Sequence, residues 1–107
     1  MKFIITVLLI LGLSTVASAD PKKGQKYYLK KLKVCKKDGF KNGALFAVKH
    51  TRAEWEEIKD DGYLVYEWKT LCPSGAKKFD KMKEKHITDL YDFVYKYASD
   101  GDVPSCG

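Results

Sequence analysis

After an apolar opening, most hydrophobic positions of this 107-residue chain fall at helical spacing. Lys2 precedes an almost unbroken apolar run from Phe3 to Leu13, and Ala17-Ser18-Ala19 follows. A short basic start, an apolar stretch and an A-x-A step predict a signal peptide over residues 1–19. The run is too short for the ~20 residues needed to cross a bilayer, so no membrane span is expected once the leader is cleaved. Tyr28, Leu32 and Cys35 stand at i, i+4 and i+7 and predict a helix from about Lys22 to Cys35. Lys36-Lys37-Asp38-Gly39-Phe40 breaks it, and residues 44–48 read as a short apolar turn or helix ending near His50.

Thr51-Arg52-Ala53-Glu54 has the capping-box pattern, in which the Thr51 hydroxyl and the Glu54 carboxylate exchange hydrogen bonds with each other's backbone amides. It predicts a helix through Trp55 and Ile58, stopped at Asp60-Asp61-Gly62. Residues 63–71 fit a helix through Leu64, Trp68 and Leu71, although Val65, Tyr66 and Trp68 would also suit a strand; the helix is preferred, ended by Cys72-Pro73. Residues 75–85 form a charged connection with helical potential around Phe79 and Met82. Thr88 is the expected cap of a last helix in which Leu90, Phe93, Val94 and Tyr97 make one stripe, ending at Asp100-Gly101. Residues 20–107 are thus expected to form a single all-α domain of four or five short helices.

A domain of 88 residues, the 107 less the leader, buries only about 60% of its unfolded surface and calls for a staple. Three cysteines are available, Cys35, Cys72 and Cys106, and an oxidising compartment favours one disulfide. Sequence does not fix the pairing. Cys72 and Cys106 sit in irregular Pro/Ser segments while Cys35 closes a helix, so Cys72–Cys106 is the expected bond. The odd cysteine is left free, modified or paired in a disulfide dimer. Five lysines around Cys35 would favour its thiolate, against the plainer reading of a buried structural cysteine.

Of the 20 basic residues Lys2 lies in the leader, so 19 face 14 acidic residues, a net charge of +5. Arg52 is the sole arginine. Lysine gives a diffuse field without the planar fork that reads bases and phosphates, so nucleic acid is not an expected partner. Nine lysines crowd between Lys22 and Lys41, while Glu54, Glu56, Glu57, Asp60 and Asp61 concentrate negative charge elsewhere. That polarity suits docking to an acidic protein as well as it suits a merely solvated helix face. Seven tyrosines, two tryptophans and four of the five phenylalanines follow the leader. Tyr91 and Tyr95 lie off the last helix's apolar stripe and are expected to form an exposed patch. No Ser/His/Asp grouping, glycine-rich phosphate loop or paired carboxylates in apolar settings is found, so no enzyme is expected.

The stretch from Gly24 through Tyr27, Tyr28, Leu32 and Cys35 to Lys36 resembles the first helix of a small exported class I cytochrome c. In that family the pattern leads into Cys-x-x-Cys-His, which attaches haem and gives the iron its first ligand. Counted from Tyr28, the two cysteines fall on Leu32 and Cys35 and the histidine on Lys36. Asp89 to Tyr97 is similar to the family's terminal helix, Met82 stands near the place of its axial methionine, and Trp55 on a short middle helix also matches. The resemblance implies N- and C-terminal helices packed across each other and a periplasmic or secreted protein. It also implies a lysine docking collar, here Lys30, Lys31, Lys33, Lys36 and Lys37.

The attachment motif, however, is degenerate. Leu32 forms no thioether, and an ammonium has no lone pair for iron. No cofactor is therefore expected; haem held in another way would need Cys35, His50, Met82 and His86. No cysteine or histidine pair has the spacing of another metal site. The expected function is that of a partner-binding or accessory module near electron transfer. The alternatives are a haem-binding electron carrier with unusual ligation and a disulfide-stapled binding or inhibitory protein unrelated to cytochromes.

Overall fold

The computed structural model describes residues 20–103, so the expected signal peptide over residues 1–19 and Cys106 lie outside the described residues. The described chain is all-helical: α1 (Pro21–Lys31), α2 (Gly43–Ala47), α3 (Arg52–Asp60), α4 (Leu64–Leu71), α5 (Ala76–Asp80) and α6 (Glu84–Lys96). Two 3₁₀ segments, Lys33–Asp38 and Pro73–Gly75, follow α1 and α4. No strand occurs among the described residues, and no helix there is long and apolar enough to cross a membrane. The six helices exceed the four or five expected because residues 43–47 and 76–80 both wind into helix.

Asp20 caps α1 by accepting the Lys22 amide at 2.9 Å, and Pro21 occupies the first turn, where its missing N–H costs nothing. The expected helix to Cys35 instead ends at Lys31, and the chain tightens into 3₁₀ turns. With three residues per turn, positions i and i+3 come onto one side, so Leu32 and Cys35 both enter the core, each fully buried. Gly39, at φ 96°, ends the segment in a left-handed conformation that side chains resist, and its amide donates to the Cys35 and Lys36 carbonyls.

Asn42 caps α2 through the Leu45 amide at 3.1 Å. The Thr51/Glu54 capping box forms as its pattern predicts, with Thr51 N donating to Glu54 Oε1 at 2.9 Å and Glu54 N donating to Thr51 Oγ1 at 3.1 Å. Residues 64–71 are helical, because burying Leu64 and Trp68 on one face outweighs the strand preference of Val65 and Tyr66. The last helix starts one turn before the expected cap. Lys83 is its N-cap residue, and Thr88 lies inside the helix, its hydroxyl donating to the Glu84 carbonyl at 3.1 Å. Met82 and Ile87 have the N′ and N4 spacing of a hydrophobic staple and both pack against the core, which favours the earlier start.

α1 packs against α6, and their backbones meet at Gly24. A Cβ placed there would collide with the Asp89 carbonyl and come within 2.8 Å of Phe93 Cβ. Tyr28 and Leu32 from one side, and Leu90, Phe93 and Val94 from the other, close the core around this seam. Phe46 stacks on Phe79 with centroids 6.4 Å apart, and Trp68 lies 6.0 Å beyond Phe79. Trp55, fully buried, donates its indole N–H to the Ala47 carbonyl at 2.8 Å.

Arg52 uses its fork at the C-terminus of α6, donating to the Tyr95 and Lys96 carbonyls at 2.9 and 3.0 Å while its own amide donates to Asp100. Such a group satisfies carbonyls the helix leaves unpaired and complements its dipole. The staple joins Cys35 to Cys72, with Cα atoms 5.4 Å apart, and not Cys72 to Cys106. The tight turns bring Cys35 inward to meet Cys72 at the end of α4, and Asp38 accepts the Ser74 amide and hydroxyl alongside at 3.0 and 3.2 Å.

Two substitutions test this frame. Gly24→Ala should reduce stability in urea unfolding by about 3 kcal/mol or more through overpacking; a change below 1 kcal/mol would mean the seam yields freely. Replacing Cys35 and Cys72 by alanine opens a loop spanning 37 residues, for which chain entropy gives a loss of about 4 kcal/mol. An unchanged denaturation midpoint would show that the bond constrains nothing.

Candidate functional site

The residues that haem would need are dispersed. The sulfur of Cys35 is committed to Cys72, and Leu32, at the place of the other attachment cysteine, is sealed in the core. His50 lies in the turn between α2 and α3, its Nε2 donating to the Glu67 carboxylate on α4 at 2.7 Å and its Nδ1 3.4 Å from Glu54. Its ring meets Trp55 edge-on at 4.7 Å, so the imidazole clasps α3 to α4. His86 packs on Tyr27, centroids 4.7 Å apart, and Met82 packs against the core. Among the described residues no three His, Cys, Asp or Glu side chains could hold a metal together. These residues do not fit a haem site.

Two buried donors, Tyr28 Oη and Trp68 Nε1, find no acceptor within the described structure. Burial pushes the Tyr28 hydroxyl well above the ordinary tyrosine range, so it stays protonated. The Tyr91/Tyr95 pair, expected as an exposed patch, is half-buried. Lys59 lies 5.1 Å over the Tyr91 ring and the Arg52 guanidinium 5.2 Å over the Tyr95 ring. Burial first, then the carboxylate of Glu56 and other nearby negative charge, pushes Tyr91 up to about 12.

The nine lysines from Lys22 to Lys41 are all exposed, and among the described residues none forms a salt bridge. The acidic residues that do pair choose His50, Arg52, Lys59, Lys69 and Lys96 instead. The turn from α1 into the 3₁₀ segment then divides the lysines between two hollows. The first, about 130 Å³, is lined by Lys33, Lys36 and Lys41 above the buried Tyr28, Leu32 and Phe40. Leu29, 51% exposed, stands in its wall. The second, about 380 Å³, lies between α1 and the start of α6 and takes Lys30 and Lys31 with other lysines. Of the collar expected from sequence, Lys30 and Lys31 are thus separated from Lys33 and Lys36, while Lys37 lines neither hollow. Leu29, Phe40 and Lys41 line the first hollow in addition to the expected collar residues Lys33 and Lys36; the i+4 step from Leu29 to Lys33 is the signal that could have drawn Leu29 in.

Comparison with family models, curated proteins and solved structures finds no match to this chain.

The Tyr91 environment fixes a pH response. Between pH 10 and about 12 an unfolded chain ionises this hydroxyl while the folded one keeps its proton, so stability falls as pH rises through that window. The melting temperature should decline across it, and Tyr91→Phe should flatten the decline. An identical slope in the variant would exclude Tyr91 as a source.

Proposed function

We propose that this chain is an exported helical binding module on a scaffold similar to the small cytochromes c, and that it docks to an acidic protein. The contact is made by the smaller hollow. What supports this most is the coincidence of the exposed Leu29 with three lysines that form no salt bridge among the described residues. Protein interfaces combine a desolvated anchor at the centre with polar groups around it, and complementary charge speeds the encounter. Leu29 would meet one apolar side chain of the partner, and Lys33, Lys36 and Lys41 its surrounding carboxylates.

The scaffold comparison rests on α1 lying against α6 at Gly24 and on the degenerate attachment positions Leu32, Cys35 and Lys36. In this reading the disulfide and the Phe46–Phe79 stack give the shell the cohesion that a prosthetic group gives the family. The protein acts as an accessory near periplasmic electron transfer, with no enzymatic step of its own.

A photo-crosslinking residue in place of Leu29 should yield an adduct with an acidic protein in cells. The triple charge reversal Lys33→Glu/Lys36→Glu/Lys41→Glu should remove it. An adduct that survives the reversal, or that forms equally from Tyr66, which lines neither hollow, defeats the proposal. A stoichiometric Soret band in protein from cells that mature c-type haem would replace it with the electron-carrier reading.

A further inference from the structure

We propose that the larger hollow, between α1 and α6, binds a linear oligophosphate anion. Lys23, Lys26, Lys30 and Lys31 line one side. Their spacing of three, seven and eight residues from Lys23 places them on one helix face. Lys85 faces them from the first turn of α6, and Asp89 is the single carboxylate residue in the lining. None of the five lysines is in a salt bridge among the described residues. Tyr27 and His86, packed ring to ring, complete the wall and add a hydroxyl and an imidazole to the available donors. Burial raises the Tyr27 pKa, so that hydroxyl remains a donor.

The ligand class follows from charge, reach and donor type. Five cations against one carboxylate leave an excess that a single carboxylate or orthophosphate would not neutralise. Lys23 and Lys30 are seven residues apart, about 10 Å along the helix axis, so the anion must carry charge over that length. Ammonium groups are point charges with three rotatable donors, suited to tetrahedral phosphate oxygens without the alignment a guanidinium demands. A protein segment is the weaker match, because the aromatic ring in the lining, Tyr27, is already packed against His86 and no aliphatic residue such as Leu29 lines this hollow. The two sites are separate, and neither proposal rests on the other.

Nuclear magnetic resonance titration of the isotope-labelled full protein with sodium tripolyphosphate, at constant ionic strength, reads the site directly. Saturable shifts should be confined to the amides of residues 23–31 and 84–89. Tripolyphosphate should bind at least tenfold more tightly than orthophosphate. Lys26→Gln/Lys30→Gln should weaken binding by tenfold or more with an unchanged melting temperature, since both side chains are exposed. Lys77→Gln/Lys78→Gln, an equal charge change on α5, should alter it less than twofold. Equal losses in the two double variants, or shifts spread over all the lysines, would reduce the effect to diffuse charge and overturn the assignment. Tighter binding of an oligoglutamate peptide at the same amides would overturn it in favour of a protein ligand.

Discussion

The approach of α1 to α6 at Gly24 is the constraint on which the rest of this molecule is arranged. With no side chain there, one helix backbone comes up against the Asp89 carbonyl of the other, close enough for Tyr28 and Leu32 to share a core with Leu90, Phe93 and Val94. None of the other four helices exceeds nine residues, which is below the length at which a helix holds itself in water. α2, α3 and α4 persist because they lean on α6, and α5 because it leans on α4. The same approach sets Lys85 and His86 opposite the lysines of α1, so the packing that makes the core also makes the larger hollow.

Around the seam the structure relies on ties between ends of elements. Arg52 gathers the last carbonyls of α6 to the first turn of α3, His50 links α3 and α4, and the Cys35–Cys72 bond with the Asp38–Ser74 contacts joins the two 3₁₀ segments. Arg52 and Asp38 meet backbone groups that short helices leave open at their ends. A chain of many brief helices has many such ends, and its sole arginine is placed where a planar fork reaches two carbonyls at once.

What could be read from the sequence was what is local. The Thr51/Glu54 box, the Leu64–Trp68 face and the Leu90–Phe93–Val94 stripe are decided within a few residues and stand where their patterns put them. The disulfide partner was not legible, because it depends on α1 giving way to tighter turns after Lys31, which the even spacing of Tyr28, Leu32 and Cys35 concealed. Thr88 misled for a related reason: it is a good cap residue, but the Met82/Ile87 staple acts from outside the window in which caps are judged. The lysine crowd was plain to see, yet its division into two hollows needed the turn between them. The pairings of His86 with Tyr27 and of His50 with Glu67 are long-range and left no trace in spacing.

Both sulfurs of the disulfide are completely shielded from solvent, and this imposes an order on the life of the molecule. A thiol-exchange catalyst works by direct attack on sulfur. It could reach these two only while the polypeptide is still open. The bridge must therefore be made before the interior closes, and once made it is hidden from soluble reductants until the whole body comes apart.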